Sequence, residues 1–151
     1  MSCKAIAEQV LKEHQMLKLI SQAMQVAIGW TVPAHEISRK LSSLRFVAES
    51  LRRHQERLMS LEEDGGYLHA VVESNPNLAN VVDSLRLDHE KFRQAWSRIL
   101  PRLDKVSPTE HAALAGLCEE LTDLLHETQE HSDAETTLVY EAILRDEGGE
   151  G

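Results

Sequence analysis

Leu124-Leu125-His126-Glu127-Thr128-Gln129-Glu130-His131-Ser132-Asp133-Ala134-Glu135-Thr136-Thr137-Leu138 decides the fold by its spacing. Leu124, Thr128, His131, Glu135 and Leu138 recur by threes and fours, which is one face of an α-helix and not the alternation of a strand. Leu114, Leu117 and Leu121 before the stretch and Ala142 after it extend the same face without a slip. A helix with one apolar stripe must bury that stripe against other elements. His131 and Glu135 are the exceptions within it, two polar groups one turn apart where a core should be.

The same period recurs through the chain. Ile6, Val10, His14, Leu17, Met24 and Ile28 predict a first helix over about 3–28, stopping near Gly29. Pro33 suits the first turn of a second helix over about 33–64, because its missing N–H would have had no partner there. That helix carries Leu41, Leu44, Leu51, Leu58 and Leu61 and ends at Gly65-Gly66. A short helix over about 67–74 follows, and Asn75-Pro76 reads as a cap with proline at the first helical position. Val82, Leu85, His89, Phe92, Trp96, Ile99 and Leu103 share one face of a helix over about 76–104, closed loosely by Pro101. Ser107-Pro108-Thr109-Glu110 has the form of a capping box, so the last helix is expected over about 108–147, to Gly148-Gly149.

Four long helices, short connections and no strand pattern predict an all-α fold, an antiparallel up-down four-helix bundle filling residues 1–151 as one domain. The two halves echo each other. His89 precedes His131 by 42 residues and His14 precedes Leu58 by 44, and both His131 and Leu58 are followed four residues later by a glutamate. The bundle thus reads as a duplicated helix pair.

A formal charge of -9, with basic residues interspersed among acids, disfavours nucleic acid and anionic membrane surfaces. No apolar run approaches the roughly 20 residues of a spanning helix, and the first ten residues do not resemble a secretory signal, so a cytoplasmic location is expected. Cys3 and Cys118 form no paired motif and read as small hydrophobes. There is no nucleophile elbow, phosphate-cradling loop or dinucleotide fingerprint. The exposed faces read as mixed charge with no apolar stripe, so no partner protein is indicated.

His14, Glu62 and His89 interrupt stripes on three other helices as His131 and Glu135 interrupt the last. Burying such groups unsatisfied costs on the order of 2 kcal/mol each, so they must be hydrogen-bonded, paired or metal-bound. Histidine with carboxylate is transition-metal chemistry, and bridging carboxylates with terminal histidines recur in bundle cores. His54, one turn before Leu58, is a possible substitute ligand or a second layer to the cluster. His126 turns away from the stripe; His35, His69 and His111 sit near helix ends; Glu63 and Asp64 read as a solvated helix end, and Tyr67 as packing.

From Glu13-His14 to Gly149 the chain resembles the haemerythrin-like, HHE cation-binding family of four-helix bundles that hold a non-haem di-iron centre. The resemblance rests on Leu-Asp-His89-Glu, His131-Ser-Asp-Ala-Glu135, His14 and Glu62. It implies that the glutamates bridge two irons and the histidines are terminal ligands. It also implies a histidine where this chain has Leu58, and a second histidine one turn beyond His89 in oxygen carriers, which is missing here. Three outcomes stay open: two irons with solvent or His54 filling the gap, a single iron or other divalent transition metal on His89, His131 and the carboxylates, or a site that has lost its metal. The expected function is binding of dioxygen, nitric oxide or peroxide in sensing, storage or stress protection. A metal-free interaction module and a di-iron oxidase or peroxidase are the alternatives.

Overall fold

The structure is a computed structural model that describes residues 3–144. Among them are five α-helices and no strand: α1 Cys3–Gly29, α2 Ile37–Asp64, α3 Tyr67–Ser74, α4 Ala79–Lys105 and α5 His111–Val139. The 3-10 turns Ala34–Glu36 and Pro76–Leu78 precede α2 and α4, and a π-helical turn, Tyr140–Leu144, continues α5. None of these helices is long and apolar enough to cross a membrane.

The four long helices form a closed ring of neighbours: α1 packs on α2 and α5, and α4 packs on the same two. Each contributes its predicted stripe. Leu41, Leu44 and Leu51 of α2, Val82, Leu85 and Phe92 of α4 and Leu117, Leu121 and Leu124 of α5 are all buried in one core. Burial of such stripes, at roughly 25 cal/mol per Å² of apolar surface, is the main force holding the helices together. Arg45 of α2 adds a specific tie. Its guanidinium donates to the carbonyls of Leu103 and Val106, each at 2.9 Å, and so satisfies acceptors that the end of α4 leaves unpaired.

The short α3 packs against α1, α2, α4 and the π-helical turn, with Tyr67, Leu68 and Val71 buried. Gly66 makes this possible. Its φ of 84° lies in the left-handed region, which lets the chain reverse between Glu62 and Tyr67. At the other end of α3, the Asn75 side chain accepts from the Asn77 N–H at 3.2 Å, the expected cap, although it opens a 3-10 turn and α4 proper starts at Ala79.

Some boundaries differ from the sequence expectation. α5 begins at His111 and not at 108, because only half of the capping box forms: the Ser107 N–H donates to Glu110 at 2.8 Å, but the serine hydroxyl accepts from Thr109 at 3.3 Å. α2 begins at Ile37, since Pro33 caps the preceding 3-10 turn. At its C-terminal end α4 runs through Pro101 to Lys105, within a residue of the expected close near 104. The expected end at Gly148-Gly149 lies outside the described residues. The outer face of α1 also departs from expectation, because Met16, Leu19 and Val26 stand exposed on it, with Trp30 just beyond. Periodicity had assigned the core stripe of α1 correctly but had not singled out this second, outward one.

Candidate metal centre

Each long helix delivers polar groups to one common place. α1 supplies His14, α2 Glu62, α4 His89 and α5 both His131 and Glu135, and all five are buried. The i, i+4 spacing on α5 brings His131 Nε2 to 2.6 Å from Glu135 Oε1. His89 Nε2 lies 2.9 Å from the same oxygen, and His14 Nε2 lies 2.8 Å from Oε2. Glu62 stands opposite, with Oε1 3.5 Å from His14 Nε2 and Oε2 3.6 Å from His89 Nε2. Two groups of potential ligands result, His89-His131-Glu135 and His14-Glu62-Glu135, each with its ligand atoms within 4.8 Å of one another. Glu135 belongs to both.

A second ring of hydrogen bonds turns the imidazoles inward. His14 Nδ1 is 2.6 Å from the Ser132 hydroxyl, His89 Nδ1 donates to Glu63 at 2.8 Å, and His131 Nδ1 donates to Asp88 at 2.9 Å. With every Nδ1 engaged on the outside, every Nε2 faces the carboxylates. Outer partners of this kind fix the tautomer and orientation of metal-binding histidines. His89 and His131 thereby each stand between two carboxylates. A neutral imidazole has one N–H, so the two contacts of each ring need one further proton, on either partner, or a cation on the inner side.

The electrostatics agree with a crowded anionic pair. Burial and the charge of Glu135 push the Glu62 carboxyl well above the usual carboxylate range. Burial would push Glu135 up as well, but hydrogen bonds converging from Glu62 and the three histidines hold it well below that range. For His131, burial opposes the charged form and is outweighed by Glu135 and Asp88, which raise its pKa. A cation placed between the two glutamates would stabilise both in the charged form.

The five residues singled out in the sequence are thus brought together, and Leu58 is buried one turn before Glu62 with no ligand atom to offer. His54 is a correction. Its Nε2 lies 3.1 Å from both the backbone oxygen and the carboxylate of Glu13, so the ring serves an α1–α2 tie and no substitute ligand is in place. Glu63 is a second correction, since it is half-buried and clamps His89 while accepting from Arg93 at 2.9 Å. Ser132, Asp88 and Glu63 were missed because each lies beside a stripe position, where an outward-facing polar residue is the ordinary case; Asp88 directly before His89 and Glu63 directly after Glu62 were the available signals. His35, His69, His111 and His126 are exposed, as expected.

A further buried polar layer lies about two turns along the helices from Glu62, His89 and Glu135. Gln55 donates to the Thr128 hydroxyl at 3.3 Å and accepts from the Trp96 indole N–H at 2.7 Å, joining α2, α5 and α4. A surface cleft of about 350 Å³ reaches His131 between α4 and α5, lined also by Asp88, Lys91, Glu127 and Glu130. No family model matches this chain, and comparison with curated proteins and with solved structures yields no match either.

Proposed function

We propose that this chain is a haemerythrin-like metal-binding protein, holding two irons or one in an antiparallel up-down four-helix bundle in the cytoplasm. The observation that carries this reading is the pair His89 and His131, each held between an outer carboxylate and Glu135 with its Nε2 turned inward. The closed ring of four long helices and the sharing of Glu135 between two ligand groups support it further.

The donor set fits a transition metal. With ligand bonds of about 2.1 Å, ligand atoms at right angles stand about 3.0 Å apart, and the observed N···O separations of 2.6 to 3.6 Å bracket that value. His89, His131 and Glu135 would hold one ion; His14, Glu62 and Glu135 would hold the other, one histidine short because of Leu58. When bound, the metal would supply a redox-active Lewis-acid position for dioxygen, nitric oxide or peroxide. The chain's own part is to fix the three imidazoles through Ser132, Glu63 and Asp88, to offer carboxylates that accommodate a change of charge, and to exclude bulk water with the leucines around them.

A metal-free polar network is the second reading, favoured by the same 2.6 to 2.9 Å contacts, which are also ordinary hydrogen-bond lengths. Elemental analysis of protein produced in iron-supplemented medium decides between them. One to two equivalents of iron are expected; less than about a tenth of an equivalent of any transition metal rejects the proposal. Turnover of peroxide by the iron-loaded protein would move the reading to an oxidase or peroxidase, for which the cleft at His131 would give access.

A further inference from the structure

Two buried side-chain polar atoms in the described residues have no hydrogen-bond partner, the Tyr67 hydroxyl and Glu62 Oε2. Buried polar atoms are so rarely left unpaired that two in one small region call for an explanation. They belong to residues five apart, at the last turn of α2 and the first of α3, on either side of the left-handed Gly66. Both side chains are about 1% exposed. Tyr67 is thus supplied by α3 and not by one of the four long helices that supply the ligands.

We infer that Tyr67 and Glu62 Oε2 flank the position of one small, hydrogen-bond-accepting ligand of the metal centre, with the Tyr67 hydroxyl as its donor. This rests on the metal reading above and adds to it the place and chemical class of the exogenous ligand. The cluster is otherwise built from carboxylate oxygens and imidazoles already committed on both nitrogens. Tyr67 alone brings an O–H that nothing uses. A neutral donor beside carboxylates selects a ligand that accepts, such as a small anion, over one that only donates. Leu58 offers no ligand atom, so a metal on His14, Glu62 and Glu135 would keep a coordination position for such a ligand.

The test uses the full-length, iron-loaded protein and azide as the probe, with iron content measured in parallel. Tyr67→Phe is expected to keep its iron and to bind azide about tenfold more weakly, the loss of one hydrogen bond to a charged ligand. In the unsubstituted protein, the vibrational band of bound azide is expected to shift on transfer to D₂O. Full iron in Tyr67→Phe with unchanged azide affinity, or an azide band in the unsubstituted protein insensitive to D₂O, overturns the inference and leaves the metal reading intact. An unsubstituted protein without iron overturns both. Should Tyr67→Phe lose its iron or fold poorly, the D₂O measurement decides alone.

Discussion

His131 Nε2 and Glu135 Oε1 approach to 2.6 Å across a single turn of α5, and the same carboxylate also receives His89 and His14 from two other helices. Glu135 is the hub of the cluster. Its replacement by glutamine keeps the shape, removes the charge and turns an amide N–H₂ toward groups that expect an acceptor. We expect Glu135→Gln to hold less than about a tenth of an equivalent of metal, and its metal-free form to be less stable by about 3 kcal/mol in urea denaturation, as for a broken buried ion pair. Normal metal content in this variant would contradict the shared-ligand arrangement.

Leu58 offers the opposite test. Placed one turn before Glu62 and 2% exposed, it occupies the position at which the proposed metal reading lacks a histidine. Leu58→His is expected to raise metal stoichiometry or affinity while lowering the melting temperature of the metal-free form, because an imidazole without a partner in the core costs about 1–3 kcal/mol. Elemental analysis and melting curves with and without chelator read the two effects separately. A rise in neither metal content nor affinity would mean that no ion occupies the His14 half.

Asp88 acts at one remove. It accepts from His131 Nδ1 at 2.9 Å and is itself about a third exposed, so its charge is partly screened. Asp88→Asn is therefore expected to change folding stability little and to weaken metal binding about tenfold, measured by competition with a chromophoric chelator. Equal affinity would show that the orientation of His131 is set by packing against Phe92, whose ring meets it edge-on at 5.2 Å.

How far the sequence was legible follows from these residues. The buried faces of α4 and α5 could be read because Val82 to Leu103 and Leu114 to Ala142 keep their period without a break, and the same period exposed His89, His131 and Glu135 as anomalies. What periodicity cannot show is direction of reach. His54 and Glu62 lie on the same helix and are both buried, yet one turns to Glu13 and the other to His14. Glu63 looked solvated because its neighbours in sequence are acidic; its real neighbours are His89 and Arg93, brought there by packing of α4 on α2. Tyr67 depended on the reversal at Gly66, a backbone conformation that the glycine permits but does not require.

Tyr67 gives the chain a sharp dependence on alkaline pH. Burial, followed by the negative charges of Glu135 and Glu62, raises its pKa far above the ordinary phenol value of about 10. The folded state then retains a proton that the unfolded chain gives up, so the contribution of Tyr67 is fully present below about pH 10 and declines as pH rises beyond it, by up to about 1.4 kcal/mol per pH unit. The chain has two tyrosines, and Tyr140 is exposed on the π-helical turn, so Tyr140→Phe isolates the buried phenol at little structural cost. In that variant, without metal, tyrosinate absorbance is expected to stay flat through pH 10 and to appear only together with the loss of helical circular dichroism. An absorbance rise centred near pH 10 while the helices remain intact would show that the Tyr67 hydroxyl reaches water and does not face the carboxylates.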